Sequence, residues 1–431
     1  MGGRMTLPLT LYRIGMTLLE PAAASLLVSR RKKGKEDPER MGERRGLAGR
    51  ARPAGRLAWV HGASVGEVVS LMPIVERLTR RGFRVLVTSG TLTSAAVLAQ
   101  RLPPGAAHQF MPLDVPRYLR RFLDHWLPDL VLFAESEIWP NAVFAVRERG
   151  IPLLLVNARM SERSFRRWRQ APKSARTLLE QFDLCLAQSQ ADGERLARLG
   201  APRVGIAGNL KFDVPAPPAD ARTVASLSGI IAGRPVWVAA STHGGEEEII
   251  SLVHRALMER RPGLLTIIAP RHPERGEAVA DIAHRAGLNV ALRSEGALPE
   301  RDVDVYVADT IGELGLFYRL APIAFIGRSL VPLGGQNPIE PAKLGAAILH
   351  GPHVYNFADI YAAIDRAHGA LPVADAESLA QALAMLLKDT ARTRAMARAA
   401  AQTVESLGGA LERTMRAIEP YILHMDLRHN G

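Results

Sequence analysis

The stretch Trp59-Val60-His61-Gly62-Ala63-Ser64-Val65-Gly66-Glu67 decides how the rest of the chain is read. A strand-like apolar run stops at small residues, and a carboxylate stands where the next helix should begin. Gly62, Ala63, Ser64 and Gly66 leave room for a ligand to approach the backbone. Open α/β sheets bind ligands beyond the carboxyl ends of their strands, which would set Glu67 at a cleft. A carboxylate there could act as general base toward a hydroxyl. It could equally be a helix N-terminal residue favoured by the helix dipole, worth about 0.3–1 kcal/mol.

Outward from this stretch, short β-rich runs alternate with helical patterns as far as Val214. Strands are expected at Leu57–His61, Arg84–Ser89, His108–Met111, Leu130–Ala134, Ile151–Val156, Leu184–Ala187 and Val204–Ala207. Most are followed by a helical pattern, such as Val68–Arg80 or Trp139–Arg149. This βα repetition predicts a parallel sheet covered on both faces. Val214-Pro215-Ala216-Pro217-Pro218 breaks the rhythm, because proline cannot donate to a sheet ladder and stiffens the chain. The pattern then restarts, with strands expected at Val236–Ala240, Leu264–Ala269, Asn289–Leu292, Val303–Val307, Ile323–Gly327 and Ala347–His350. Helices are expected at Ala376–Leu387 and Ala391–Leu407. The organisation read from this is an N-terminal segment (1–53), a Rossmann-like domain (54–214), a linker (215–234), and a second Rossmann-like domain with terminal helices (235–431). A cleft between two such domains suits a nucleotide-linked donor and an acceptor.

The 431 residues suffice for two domains, and 47% of them are hydrophobic. The lone cysteine, Cys185, excludes an intrachain disulfide and reads as core. No Cys/His cluster has zinc-site spacing. The formal charge of +12 favours anionic partners. One basic run spans Arg30-Arg31-Lys32-Lys33 and continues through Lys35, Arg40, Arg44 and Arg45. Another is Arg163, Arg166, Arg167, Arg169 and Lys173, suited to acceptor phosphates or lipid headgroups, or simply a solvated helix face. Neither carries the interleaved aromatics of a nucleic-acid groove, so no nucleic-acid partner is expected.

Residues 5–29 are apolar but interrupted by Pro8, Arg13, Glu20 and Pro21. A transmembrane helix needs about 20 predominantly apolar residues. A secretory signal would carry its positive charge ahead of the apolar part, whereas here the larger cluster follows it. The expectation is a membrane-associating segment, either a marginal span or an in-plane helix, with Arg30–Lys35 against anionic headgroups. A helix packed on the protein's own surface is the alternative.

Four stretches of the second half read as ligand loops. Ser241-Thr242-His243-Gly244-Gly245-Glu246 combines hydroxyls, glycines and a helix start, which suits an oxyanion or a plain helix cap. Ala269-Pro270-Arg271-His272-Pro273-Glu274-Arg275 offers Arg271 as a fork for phosphate, or is a rigid turn with solvated charges. Asp309-Thr310-Ile311-Gly312-Glu313-Leu314 follows a strand and could approach a base or ribose. Gly334-Gly335-Gln336-Asn337-Pro338-Ile339-Glu340 offers an amide and a carboxylate to ribose hydroxyls. Together, four such loops in one domain support nucleotide binding.

In the first half, Phe133-Ala134-Glu135-Ser136-Glu137-Ile138-Trp139-Pro140-Asn141 puts an acidic pair directly after a strand. Those carboxylates could orient a sugar hydroxyl or stabilise positive charge, or could mark a helix start with Pro140 in its first turn. Gly208-Asn209-Leu210-Lys211-Phe212-Asp213 ends the domain, where Lys211 could neutralise a departing phosphate or a donor carboxylate, or be a solvated lysine beside a turn.

Other codes fail. Neither a phosphate loop nor a dinucleotide fingerprint stands in context. Asp302-Val303-Asp304 has a metal-holding form but enters a strand, the wrong end for a cleft, so no metal site is expected. Gly62-Ala63-Ser64-Val65-Gly66 has the letters of a nucleophile elbow, with Ser64 as nucleophile. A serine hydrolase would leave Glu67 and the second-domain loops unexplained.

In order, these stretches resemble the 3-deoxy-D-manno-octulosonic acid (Kdo) transferase family of lipopolysaccharide assembly. The anchors also include Asn157-Ala158-Arg159, and the resemblance covers nearly the whole chain. It implies a GT-B α/β fold, two Rossmann-like domains facing across a cleft. It implies CMP-Kdo as donor, a lipid A precursor (lipid IVA) as acceptor, no cofactor or metal, inversion at the anomeric centre, and a place at the cytoplasmic face of the bacterial inner membrane. By the same resemblance Glu67 matches the proton acceptor, and Glu135 and Lys211 match transition-state stabilisers. Pro270, Arg271, Gly312, Glu313, Leu314, Asn337, Pro338, Ile339 and Glu340 match nucleotide contacts, and Ser241, Thr242 and His243 belong to the same anchor set. The chain departs from the family pattern at Ala63 and Asn209, neither a reacting group. A GT-B transferase using a UDP-sugar and a membrane-bound glycolipid-binding protein are the alternatives.

Overall fold

Leu57–His61 is buried at every position, which suits a strand covered on both faces. In the computed structural model, which describes residues 5–429, this strand, β1, lies inside an all-parallel sheet. Its companions are β2 (Arg84–Ser89), β3 (Ala106–Phe110), β4 (Leu130–Ala134), β5 (Leu153–Ala158), β6 (Leu184–Ala187) and β7 (Val204–Ile206). The order is β3-β2-β1-β4-β5-β6-β7. His61 aligns with Thr88 on one side and Phe133 on the other. The chain winds outward to β3 and then returns to β4, so the topological switch point lies between β1 and β4. One apolar cluster covers each face of this sheet, built around Trp59, Phe122 and Phe133 on one side and Val60, Leu71 and Leu132 on the other.

The second unit repeats the plan. Its strands are β8 (Val236–Thr242), β9 (Leu265–Pro270), β10 (Val290–Leu292), β11 (Val305–Val307), β12 (Ile323–Ile326), β13 (Ala347–His350) and β14 (Ala370–Pro372). The order β10-β11-β9-β8-β12-β13-β14 puts its switch point between β8 and β12. The sequence reading misses only β14, a three-residue strand at the sheet edge that ends in proline.

The division of the chain differs from the sequence reading in three places, the first being that the N-terminal segment set apart as 1–53 falls within the first compact unit. The compact units are Met1–Val214 with Gly408–Gly431, and Pro215–Leu407. Residues 215–234 are not a free linker, because Ala221–Ile230 is a helix that packs on Leu314–Leu320. The prolines are fastened too: Arg319 Nη1 donates to Pro217 O at 2.8 Å. A Cβ at Gly315 would sit 2.4 Å from Pro218 O, so the chain passes there only over glycine. The C-terminal helix Ala410–His429 returns to the first unit, where Ala410, Met415, Ile418, Ile422 and Met425 join the core beneath β1. Asp213 fixes the start of that helix, accepting from Gly409 N at 2.6 Å and Leu411 N at 2.8 Å.

At the N-terminus, helices Leu7–Leu18 and Glu20–Lys32 meet at a 65° bend, and no single described helix is long and apolar enough to cross a membrane. The first helix is tied down: Tyr12 OH donates to Asp114 at 2.9 Å, and Arg13 pairs with Glu148 at 2.7 Å. Leu7, Leu11, Ile14 and Leu18 nonetheless form an outward line, 70, 58, 50 and 75% exposed. The basic run divides. Arg30 and Arg44 both clamp Glu36, and Arg40 grips Glu43, so these cations hold the fold. Arg31, Lys32, Lys33 and Lys35 remain exposed.

Candidate active site

Small residues let β1 stop sharply, and Ser64 caps the helix Val65–Arg80 with Glu67 in its first turn. The Glu67 carboxylate folds back over this turn, accepting from Ala63 N at 2.8 Å and Ser64 Oγ at 2.7 Å. Burial raises its pKa above the ordinary 4.5, the two hydrogen bonds oppose that rise, and the charges of Glu135 and Glu137 add to it. Ser64 has an ordinary extended backbone, φ −114°, and its hydroxyl is committed to Glu67. The strained turn of a nucleophile elbow is therefore not present at Ser64.

Across the switch point, β4 ends in Glu135, held at φ +51° and 9% exposed. Lys211 Nζ lies 2.8 Å from Glu135 Oε1. Asn157, also at positive φ (+50°), connects the two: its Oδ1 accepts from Leu210 N at 2.9 Å, and its Nδ2 lies 3.5 Å from Glu135 Oε1. Glu137 accepts from the Trp139 indole at 2.7 Å and faces His61 Nε2 at 3.7 Å. Burial pushes the Glu137 pKa up, but His61 and Trp139 outweigh it and hold the carboxyl below the usual range. His61 is oriented from behind, its Nδ1 2.9 Å from Thr88 Oγ1. The rim thus gathers all the predicted residues of the first domain, Glu67, Glu135 and Lys211. It adds Glu137, the second member of the acidic pair the sequence offered, together with His61 and the anchor residue Asn157, whose contacts the sequence did not signal. A separate cavity of about 680 Å³, lined by residues 39–50 and β3, contains none of these groups.

In the second unit the predicted loops all leave carboxyl ends of strands. Ser241 adopts φ +59°, Thr242 Oγ1 donates to Glu247 Oε1 at 2.9 Å, and the His243 ring stands edge-on to His272 at 5.8 Å. Arg271 follows β9 and is exposed, its N–H bonded to Thr242 O at 3.0 Å. Gly312 is exposed at φ +87°. Glu313 grips Arg293 at 2.8 and 3.1 Å, which holds its carboxyl below the usual range. Asn337 Oδ1 accepts from Ile339 N at 3.0 Å and its Nδ2 approaches Glu340 at 3.4 Å. Pro270, Pro338 and Ile339 are buried and shape these turns, and Leu314 opens a helix. Asp302 and Asp304 precede β11 at its amino end, and Asp304 is used in accepting from Asn289 N at 2.9 Å.

Glu246 is a central acid of these loops. Wholly buried, it accepts from His243 N (3.0 Å), Arg328 N (2.7 Å), Ser329 N (3.0 Å) and Leu330 N (3.0 Å), welding the β8 and β12 loops together. Its place in a Gly-Gly-Glu helix start was visible in the sequence, but three of its four partners lie more than 80 residues onward. Among the described residues, four of the six non-glycine residues at positive φ (Glu135, Asn157, Ser241 and Arg328) stand at or just past strand ends on these two rims. Each costs about 1–3 kcal/mol, so the strain is concentrated where ligands would bind.

Two doubly wound parallel sheets, one rimmed by carboxylates and the other by nucleotide-type loops, define a GT-B-type enzyme. The same fold is seen in a UDP-N-acetylglucosamine 2-epimerase structure from Listeria monocytogenes, at 15% identity and TM-score 0.59, covering 86% of this chain and 98% of that one. A family model described as 3-deoxy-D-manno-octulosonic-acid transferase matches residues 39–214. The Haemophilus influenzae 3-deoxy-D-manno-octulosonic acid transferase is 35% identical, over 89% of this chain and 92% of that protein. The Bordetella pertussis enzyme of the same name is 37% identical over 88% and 90%. The chain belongs to the Kdo transferase family and is a glycosyltransferase.

Proposed function

We propose that this enzyme transfers Kdo from CMP-Kdo to a hydroxyl of a lipid A precursor, with inversion and with Glu67 as general base. The observation that carries the base assignment is the half-buried Glu67 carboxylate with its raised pKa, next to a strand end. A base is most effective when its pKa approaches the working pH, and such a group contributes about 10²–10⁴-fold. The acceptor O–H proton passes to Glu67 as the oxygen bonds to the anomeric carbon. The bond from that carbon to the phosphate oxygen breaks on the opposite side, and its electron pair leaves with CMP. Lys211, held by Glu135, supplies positive charge for the donor carboxylate or the departing phosphate. The second-domain loops, with Arg271 exposed among them, hold the nucleotide. No step is assigned to a metal, since Asp302 and Asp304 sit at the wrong end of β11.

Mass spectrometry of the product from CMP-Kdo, lipid IVA and purified protein tests this reading. A Kdo-sized increment with the parent and none with a folded Glu67→Ala variant is expected. Full transfer by that variant removes Glu67 from the base role, and transfer from a UDP-sugar instead of CMP-Kdo replaces the donor.

The same proposal includes docking at the cytoplasmic face of the inner membrane. The outward Leu7, Leu11, Ile14 and Leu18 line, beside exposed Arg31, Lys32, Lys33 and Lys35, suits a helix lying in an anionic interface. Co-sedimentation with phosphatidylglycerol vesicles is expected, lost in Leu11→Glu/Leu18→Glu; sedimentation unaffected by that change overturns it.

A further inference from the structure

Arg328 stands immediately past β12, at the switch point of the second sheet, with φ +62°. A long side chain gains nothing from that conformation, and the surroundings enforce it. Gly327 before it has no room for a Cβ, which would lie 2.6 Å from Ser241 O. Arg328 N donates to Glu246 at 2.7 Å, and Arg328 O accepts from Gly335 N at 2.7 Å. That last bond closes the loop 328–335 on itself and brings the backbone just before Gln336 back to Arg328.

The two side chains share a second peculiarity. Arg328 Nε and Gln336 Nε2 are both buried, and neither has a hydrogen-bond partner. Buried donors are normally satisfied, and one left without a partner carries a desolvation penalty. No carboxylate among the described residues pairs with the Arg328 guanidinium. Its charge reaches the β8 loop: His243 is held below the ordinary imidazole value by burial first, with the Arg328 charge adding to the effect. A cation in a strained backbone with an idle donor, in a loop whose far end carries a second idle amide, is an arrangement that awaits an oxyanion.

We propose that Arg328, assisted by Gln336, binds the phosphate of the nucleotide donor. This rests on the nucleotide-donor reading of the second domain and adds to it a phosphate ligand from the β12 loop. The phosphate oxygens would accept the idle N–H groups, and the bond to a charged guanidinium is stronger than a neutral one. The chemistry selects a nucleotide over its nucleoside, since a nucleoside carries no oxyanion for the guanidinium to meet.

Titration calorimetry of the full chain with CMP and with cytidine tests the assignment, using the parent, Arg328→Gly and Arg328→Lys. Glycine accepts φ +62° without strain, so Arg328→Gly keeps the fold and melts no lower than the parent. Its CMP affinity is expected to fall about tenfold or more, with cytidine affinity unchanged and partial recovery in Arg328→Lys. Equal CMP binding by the parent and Arg328→Gly overturns the assignment while leaving the donor reading intact. An equal loss for CMP and cytidine also overturns it, because the pocket and not the phosphate contact is then affected. If the parent itself binds no CMP, the donor reading fails, and this assignment with it.

Discussion

The two sheets are both seven-stranded and parallel with a switch point beside their first strand, though the second inserts β11 between β9 and β10, and their rims have opposite chemistry. In the first, carboxylates stand at the strand ends: Glu67 is half-buried with a raised pKa, Glu135 is bound to Lys211, and Glu137 faces His61. In the second, the acids are turned to internal use. Glu246 is consumed by backbone N–H groups, Glu247 by Arg275 and Glu313 by Arg293. What remains available there are donors and cations: Arg271, Arg328 and Gln336. The fold provides the location in both cases, and the loops decide whether acids or donors and cations stand there.

The largest test of this contrast is Glu67→Gln. Transfer is expected to fall by about 10²–10⁴-fold, measured as kcat/KM with CMP-Kdo. The parent's acid limb should lie above the ordinary glutamate value of 4.5. Stability should move the other way. A carboxylate whose folded pKa exceeds its unfolded one stabilises most at pH below 4.5 and loses that contribution as pH rises through the folded value. Glutamine has no such loss, so the variant should melt higher than the parent at neutral pH and not at pH 4. A variant that melts lower at neutral pH would show that the carboxylate's hydrogen bonds outweigh its burial.

Lys211→Met comes next. It leaves Glu135 without its cation in a mostly buried position, at a cost of about 1.5–3 kcal/mol in chemical denaturation. A kcat loss of about 10²-fold is expected, with little change in CMP affinity. A loss of CMP affinity instead would assign Lys211 to nucleotide binding and blur the division between the rims.

Glu246→Gln should have the smallest effect on chemistry. An amide cannot accept from all four N–H groups, so the β8 and β12 loops loosen and the donor KM rises by roughly tenfold at near-constant kcat. A kcat loss as large as that of Glu67→Gln would mean that the second rim also takes part in the chemical step.

Much of this was legible in the residues. Fully buried strands such as Leu130–Ala134 read as continuous apolar runs, and small residues after Trp59-Val60-His61 announced a sharp turn into a helix. Glu67, Glu135 and Lys211 stood out because each lies at a break in the pattern, and their expected roles came from the family resemblance. Their pairing was not legible, because Lys211 meets Glu135 across 76 residues through a bulged Asn157 that looks like ordinary strand sequence. Nor could apolar periodicity say which core a helix would choose. Ala410–His429 has an amphipathic pattern compatible with either sheet, and Asp213 decides the matter by accepting its first N–H groups. Arg328 shows no anomaly as a letter; only its left-handed backbone and idle Nε reveal one.

That returning helix makes the second domain an insertion within the first. During synthesis, residues 215–407 have all the chain they need for their own core before the ribosome reaches Ala410. The domain that begins first is therefore completed last, and a nascent chain stopped near Leu407 would carry a finished second domain beside an uncovered apolar surface under β1.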